Sequence, residues 1–359
     1  MLDIRPPQPR KGRGAIGNPD GRFEPHVRVA IDDGWAPADD DLPPLRTTVT
    51  TDAARTIITR NDSPDIPFEQ SVNPYRGCEH GCIYCYARPS HGYLGLSTGL
   101  DFETRLFAKP NAASLLAAAL RKPGYRVSPI ALGTNTDPYQ PIERDMRITR
   151  SILEVLAAFE HPVSIVTKSA LVLRDLDILA PMAEKRLARV FISVTTLDRD
   201  LARKMEPRAA TPARRIEAIR TLAAAGVPVG VMVAPIIPVL NDREMESILA
   251  AAHAAGATSA AYVLLRLPFE IKDLFAQWLE THVPLKAKHV LSLVRDVRGG
   301  RLNDPNFGTR MRGDGPYAEL IAERFRLACT RLGLGDRYWH FDTTRFRVPP
   351  APGDQLTLL

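Results

Sequence analysis

From position 71 onward the chain alternates short β-branched runs with longer alanine- and leucine-rich stretches, and this alternation restricts its folds more than any other feature. Segments 71–75, 127–133, 163–167, 190–195, 229–234 and 259–264 read as strands. Between them, segments 112–120, 142–159, 171–182, 213–225 and 242–255 carry apolar positions at helical spacing, with charges on the remaining face. Gly226 and Gly256 stand where two of these helices should end, just before the next strand. Strands separated by helices imply right-handed crossovers and a parallel sheet. Six such units fit an α/β architecture, either an open doubly wound sheet or a partial barrel. No GxGxxG follows any of the strands, so the dinucleotide-binding form of the first is not favoured. Both architectures place their chemistry at the C-terminal ends of the strands, where the polar residues collect here.

The flanks differ from this core. Residues 1–66 are rich in Pro, Gly and Asp, with turn-laden stretches such as "KGRGAIGNPDGRF" and "DDGWAPADDDLPP". Phe23, Trp35 and the run Val27, Val29 and Ile31 are expected to pin this extension across the folded body as a wrap with short strands. The core is expected to occupy 67–275 and a closing segment 276–359, where the strand–helix pattern decays. "RDVRGGRLNDPNFGTRMRGDGP" reads as a basic, glycine-rich loop, followed by one amphipathic helix over 317–332. Cys329, inside that helix, reads as a small core residue. The opening residues lack the apolar region of a secretion signal, and nothing reaches the roughly 18 apolar residues of a membrane span. A net charge of +6 permits a polyanionic partner without requiring one. With only four cysteines in 359 residues, a disulfide scaffold is excluded and a reducing cytoplasm is the expected setting.

Three of those cysteines, Cys78, Cys82 and Cys85, fall within "GCEHGCIYCY". A structural zinc site takes four protein ligands, and Glu79 or His80 would have to supply the fourth from a very short loop. A thioredoxin-like pair would use Cys82 and Cys85 and strand Cys78. A [4Fe–4S] cube held by three thiolates leaves one iron open to an outside chelator, which explains why there are three.

"CEHGCIYC" resembles the signature of the radical S-adenosylmethionine (radical SAM) superfamily, with an aromatic residue before the last cysteine. The resemblance implies a partial (βα)6 TIM-like barrel in which Cys78, Cys82 and Cys85 hold a [4Fe–4S] cluster and Tyr84 lies near the adenine of S-adenosylmethionine. It also implies reductive cleavage of that cofactor to a 5′-deoxyadenosyl radical, with an external flavodoxin- or ferredoxin-like electron donor. "TNTDPYQPIE" (134–143), "TKS" (167–169), "SVTT" (193–196) and "EPRAATPARR" (206–215) are similar to the spore photoproduct lyase-like branch. "KGRGAIGN" with "VNPYRGC" is similar to an uncharacterised bacterial subgroup of that branch.

The branch resemblance assigns Lys168 to the carboxylate of the methionine moiety and Ser193 to the same moiety or its ribose. It gives Arg208 a bidentate grip on a carboxylate, and has Glu206 orient Arg208 or receive the ammonium. Asp137 and Tyr139 follow the second strand. They serve either the barrel mouth as catalytic groups or the turn and helix start, while Gln140 and Glu143 lean to the structural role. Tyr86 follows Cys85 as a radical-relay tyrosine does in the lyase. The lyase's hydrogen-donating cysteine has no counterpart, because 86–135 contains none. Arg295, Arg298, Arg301, Arg310 and Arg312, with Phe307 and Tyr317, are expected to form a loop that grips phosphates beside a stacking surface. The same loop could equally shield the barrel mouth or bind an acidic protein; a nucleic acid or nucleotide substrate is what the resemblance to the lyase branch implies. The competing reading is a zinc-stabilised, non-catalytic nucleic-acid-binding protein.

Overall fold

The computed structural model describes residues 8–24, 45–335 and 339–350. Short strands β1 (Thr48–Thr51), β2 (Ile58–Arg60), β3 (Gln70–Val72) and β4 (Tyr75–Arg76) precede α1 (Leu100–Thr104) and β5 (Arg105–Ala108). Helix α2 (Ala112–Leu120) leads into β6 (Ile130–Leu132). From there α3 (Glu143–Met146) and α4 (Ile148–Ala158) reach β7 (Val163–Thr167), and α5 (Leu176–Glu184) reaches β8 (Ala188–Ser193). Helices α6 (Arg199–Met205) and α7 (Pro212–Ala224) lead to β9 (Val229–Ile236), and α8 (Met245–Ala254) leads to β10 (Ser259–Leu264).

The main sheet runs β10-β9-β8-β7-β6-β3-β2. Its first six members in this order pair in parallel, and β2 closes one edge antiparallel to β3. Consecutive parallel neighbours joined through helices are the (βα)6 arc of a partial barrel, as expected. A smaller sheet, β1-β5-β4, lies beside the start of the cysteine loop.

The two faces of the arc differ in chemistry. Val163, Ile165, Val190, Ile192, Val229, Val231 and Val233 pack outward against the helices in the main core. The opposite parity is mostly small or polar, with Ser71, Ala131, Ser164, Ser193, Gly230, Ala234, Ser259 and Ala261 beside the apolar Val166, Phe191, Met232 and Val263. At the N-terminal end this inner face is filled by Phe191, over which the Arg189 guanidinium lies 4.4 Å from the ring centroid. A Cβ on Gly230 would meet Phe191 Cε1 at 2.3 Å, so only glycine admits that floor. Toward the C-terminal ends, Val166, Met232, Ala234, Ala261 and Val263 are only partly covered. The interior therefore stays open above the floor, unlike the filled core of an eight-stranded barrel.

The expected helix over 142–159 is broken at Arg147, whose φ of +52° separates α3 from α4. After β10 the strand–helix alternation ends, as expected, since no further strand follows among the described residues; the segment is nevertheless helical. Helices α9 (Ile271–His282) and α10 (Pro284–Asp296) form a hairpin there, and the expected boundary at 275 falls inside α9. Phe275, Trp278, Leu279, Val290 and Val294 from this hairpin share a second core with Cys82, Ile83 and Tyr84. The last helix, α11 (Pro316–Leu332), packs on α8 and brings Phe325 within 4.6 Å of Tyr262. Phe23 is exposed and stacks on Tyr93 at 5.3 Å; Val27, Val29, Ile31 and Trp35 lie outside the described residues. No helix among the described residues is long and apolar enough to cross a membrane.

Candidate cluster and cofactor site

Strand β4 hands the chain directly to the cysteine loop. Gly77 makes the turn at φ +74°, where a Cβ would lie 2.6 Å from Leu106 Cδ2 and 2.9 Å from the Phe102 carbonyl. The loop has almost no ladder hydrogen bonds of its own, so side chains hold its backbone. Gln140 clamps the first half: its Oε1 accepts from Glu79 N at 2.9 Å and its Nε2 donates to the Gly77 carbonyl at 3.1 Å. Arg88 clamps the second half. Its guanidinium donates to the carbonyls of Cys82 (2.9 Å), Gly81 (3.1 Å), Thr98 (3.1 Å) and Gly99 (2.9 Å), and it pairs with Glu103 at 2.5 Å. Both members of that ion pair are fully buried. Such a pair is costly to break because one charge would be left uncompensated.

All three loop cysteines are free thiols; Cys78 and Cys82 are buried and Cys85 is partly so. Burial pushes the Cys78 thiol well up, and the charges of Asp137 and Cys82 add to this. Burial and the Glu206 carboxylate push Cys82 up to about 12, against the pull of Lys168. Thiolates here need a positive counterpart that the protein does not itself supply in full. An iron–sulfur cluster matches the donor set: three soft sulfur ligands, an apolar second core behind them, and a cationic metal centre. Glu79 and His80, the additional donors that a single zinc ion would require, are turned to other partners. Glu79 accepts from Thr47 Oγ1 at 2.5 Å and pairs with Arg208 at 3.0 Å, while His80 Nδ1 lies 3.3 Å from Asp137. Among the described residues no group of three or more His, Cys, Asp and Glu converges as the ligands of one metal ion would.

Lys168 lies at the mouth, continuing the inner parity of Ser164 and Val166. Its Nζ lies 5.7 Å from the Tyr84 ring centroid. Ser193, also inward, bonds the Ala234 carbonyl at 3.3 Å. Glu206 is buried, and burial alone would raise its pKa. Arg215, Lys168 and the Thr195 hydroxyl outweigh that effect and hold it at about 2. The ion-pair partner of Glu206 is Arg215, so of its two expected roles the orienting of Arg208 falls instead to Glu79. Helix α7 begins after the turn at 206–211 and carries Arg215 back over Glu206, leaving Arg208 to Glu79. Tyr84 donates its hydroxyl to Glu206, which also accepts from Thr195 at 2.6 Å. Asn241 ties the same corner together, donating to the carbonyls of Thr195 (2.7 Å) and Pro235 (2.9 Å).

Asp137 is fully engaged. Its carboxylate accepts from Tyr139 N (2.9 Å), Thr167 Oγ1 (2.7 Å) and Lys168 N (2.8 Å), besides facing His80. Burial would raise its pKa, but His80, the Lys168 amide and Thr167 hold it at about 2. Its place is to fix Lys168 and the first half of the loop. Tyr139 is turned into the main core, where its hydroxyl donates to Asp175 at 3.1 Å. Tyr86 is half exposed, and its hydroxyl donates to the Thr134 carbonyl beyond β6.

The basic C-terminal loop is not the open phosphate comb expected. Arg298 is buried and donates to four carbonyls, those of Thr309, Arg310, Leu264 and Leu265. Arg310 pairs with Asp65, Arg312 stacks on Tyr262 at 4.2 Å, and Tyr317 donates to Asp242 at 2.6 Å. Arg295, Arg301 and Phe307 are exposed, as is Arg312 despite its stacking contact. Sequence reasoning missed Arg88, Glu103, Thr195 and Arg215. Thr195 and Arg215 lay in segments already singled out, "SVTT" and "EPRAATPARR", without a role assigned to them, while Arg88 and Glu103 lay outside any such segment.

The pattern defining the radical SAM superfamily matches residues 72–252. An uncharacterized protein of Mycobacterium tuberculosis is 38% identical over 266 residues, covering 73% of this chain and 76% of that protein. An uncharacterized protein of Methanocaldococcus jannaschii is 31% identical over 173 residues, 48% of this chain and 62% of that one. Among solved structures, a spore photoproduct lyase complexed with dinucleoside spore photoproduct superposes with a TM-score of 0.56 at 17% identity, covering 79% of each chain. A variant of such a lyase with bound AdoMet and the same dinucleoside gives 0.56 at 16% identity, covering 79% of this chain and 78% of that one. At that identity the likeness speaks for the fold. Members of this superfamily typically bind AdoMet and a [4Fe–4S] cluster, and by its matched core and its cysteine loop this chain belongs to the radical SAM superfamily of enzymes.

Proposed function

We propose that the protein cleaves S-adenosylmethionine reductively at a [4Fe–4S] cluster held by Cys78, Cys82 and Cys85. The observation that carries this reading is the side-chain-clamped loop of three free, buried or half-buried thiols beside an open barrel interior. When bound, cluster and cofactor supply a one-electron cleavage that yields a 5′-deoxyadenosyl radical. The chain's own groups bind, orient and shield. Lys168 offers a cation to the cofactor carboxylate, and Ser193 a hydroxyl to the same moiety or its ribose. Glu206, with Arg215 and Thr195, fixes the Tyr84 hydroxyl so that its ring would lie beside the adenine. Arg208 keeps an exposed edge for a carboxylate while Glu79 orients it. Asp137 acts as a positioning residue, and Tyr86 spans from the loop to the end of β6, a place suited to relay. The inner face of small side chains leaves room for a substrate, and the α9–α10 hairpin keeps water from the loop's rear.

The electron donor is proposed to be an external flavodoxin- or ferredoxin-like protein, and the setting a reducing cytoplasm. For the substrate we favour a nucleotide or nucleic acid. The support is the exposed set Arg295, Arg301 and Phe307, together with the dinucleoside bound by the structurally similar lyase. Filter binding of single- and double-stranded DNA and RNA should then weaken steeply with salt. The decisive experiment on the chemistry is anaerobic incubation with a reductant and S-adenosylmethionine, measuring 5′-deoxyadenosine. Cys82→Ala should reduce the product to background; undiminished product from that variant, or stoichiometric zinc without sulfide in the native protein, would overturn the reading.

A further inference from the structure

We infer that Arg13–Ala15 of the N-terminal extension is the third wall of the cysteine loop, a strap that positions Gly81 and Cys82. Arg13, Gly14, Ala15 and Ile16 are buried although they belong to a segment rich in glycine and proline. Gly14 N and Ala15 N donate to the two carboxylate oxygens of Glu103, at 2.9 and 2.8 Å. The same carboxylate pairs with Arg88, whose other bonds grip the Gly81 and Cys82 carbonyls. Glu103 is thus a hub with the strap on one side and the cluster loop on the other. A Cβ on Gly14 would fall 1.8 Å from the Gly81 carbonyl oxygen, so strap and loop touch backbone to backbone. That contact requires glycine for its closeness, since Gly14 has no left-handed φ.

The strap also reaches the mouth. Arg13 donates to the Glu103 carbonyl at 2.9 Å and to Thr47 Oγ1 at 3.1 Å. Thr47 in turn donates to Glu79, and Glu79 holds Arg208. One short segment therefore braces the loop backbone and, through two intermediaries, the orientation of Arg208. Removing it would take two hydrogen bonds from the Glu103 carboxylate, leaving Oε1 to Arg88 and Oε2 without the Gly14 donor, and would expose the Gly81 side of the loop. The inference extends the proposed cluster chemistry, but its test does not depend on a cluster being present.

The test uses the cluster-free, full-length protein, alkylated with iodoacetamide and mapped by mass spectrometry. Cys329, on α11, serves as the internal reference. Gly14→Ala and Glu103→Gln should each speed Cys82 alkylation about tenfold relative to Cys329, the effect of losing about one buried hydrogen bond from a local opening equilibrium. Gly21→Ala, whose Cβ would meet nothing closer than 3.8 Å, should leave the ratio unchanged. An unchanged ratio in both strap variants would overturn the inference, as would Cys82 and Cys329 accelerating together. Should neither variant fold, hydrogen exchange of the native chain decides. The Gly14 and Ala15 amides should be protected to the same degree as Ile83, and exchange at the free-peptide rate would overturn the strap. Absence of iron and sulfide from the native protein would count against the proposed chemistry and leave these readouts intact.

Discussion

The two ends of the barrel are built from opposite materials. At the mouth, buried ion pairs and charged hydrogen bonds hold irregular backbone: Arg88 with Glu103, Glu206 with Arg215, and Asp137 with its three donors. At the floor, Arg189 and Phe191 plug the interior, and aromatic rings seal the outside. Phe346 packs 5.6 Å from both Tyr125 and His161, whose ring nitrogens meet the Tyr125 hydroxyl (2.9 Å) and the Pro162 carbonyl (3.0 Å). The same strands serve both ends, so the difference marks where the chain must place reactive groups and where it only needs to close. Polar scaffolding fixes direction at the cost of desolvation, and it is concentrated where direction matters.

Four measurements would break or sharpen that contrast. Arg88→Met should be the most damaging, removing about 3–5 kcal/mol by leaving Glu103 buried and unpaired. Denaturant titration reads the loss, and a change below about 1 kcal/mol would mean the mouth is not held by charge. Acid should then separate the two ends. Burial holds His161 down to about 4, below its ordinary 6.5, so the unfolded chain takes up that proton first. Stability at the floor is full above pH 6.5 and falls by about 3 kcal/mol as pH drops toward 4. Asp137 and Glu206 sit near 2 against ordinary values of 3.8 and 4.5, so their contribution persists above those values and fades only toward pH 2. Urea midpoints at pH 7, 5 and 3 should show the first loss with wild type and not with His161→Gln.

Lys168→Ala should weaken S-adenosylmethionine binding by about 1.5–3 kcal/mol, the worth of a charged hydrogen bond, with little change in melting. Equilibrium dialysis measures it, and unaltered affinity would remove the residue from the site. The smallest effect belongs to the helix-facing layer. Ile165→Val should cost about 0.5–1.5 kcal/mol in global stability and leave the thiols' reactivity untouched.

Much of this was legible in the residues. The β-branched runs marked the strands because their outward parity must fill the space beneath helices, and Gly226 and Gly256 ended α7 and α8 with positive φ as expected. The cysteine spacing identified the loop because three thiolates cannot be placed so closely without a shared purpose. Other features were present but unread. Leu274, Phe275, Trp278 and Leu279 carry helical spacing within "IKDLFAQWLETH", and they form α9, a helix not picked out in the sequence. The exchange of Arg208 for Arg215 as partner of Glu206 was not readable at all. Two arginines seven positions apart are equivalent on paper until the turn before α7 chooses one. The same holds for the C-terminal arginines, whose clustering looked like a surface for phosphates until Arg298 spent its donors on carbonyls.

Asp65, in the connection between β2 and β3, accepts from Gly308 N at 2.7 Å and pairs with Arg310 across a separation of 245 positions. The outermost strands of the arc, β10 and β2, are not neighbours in the sheet, so this carboxylate fastens a flank that no ladder closes. Arg310 also donates to Ser63 Oγ, so among the described residues the contact at this flank is polar and made by side chains rather than by strand pairing. Its strength therefore depends on pH and salt in a way that the hydrogen-bonded ladder of the arc does not.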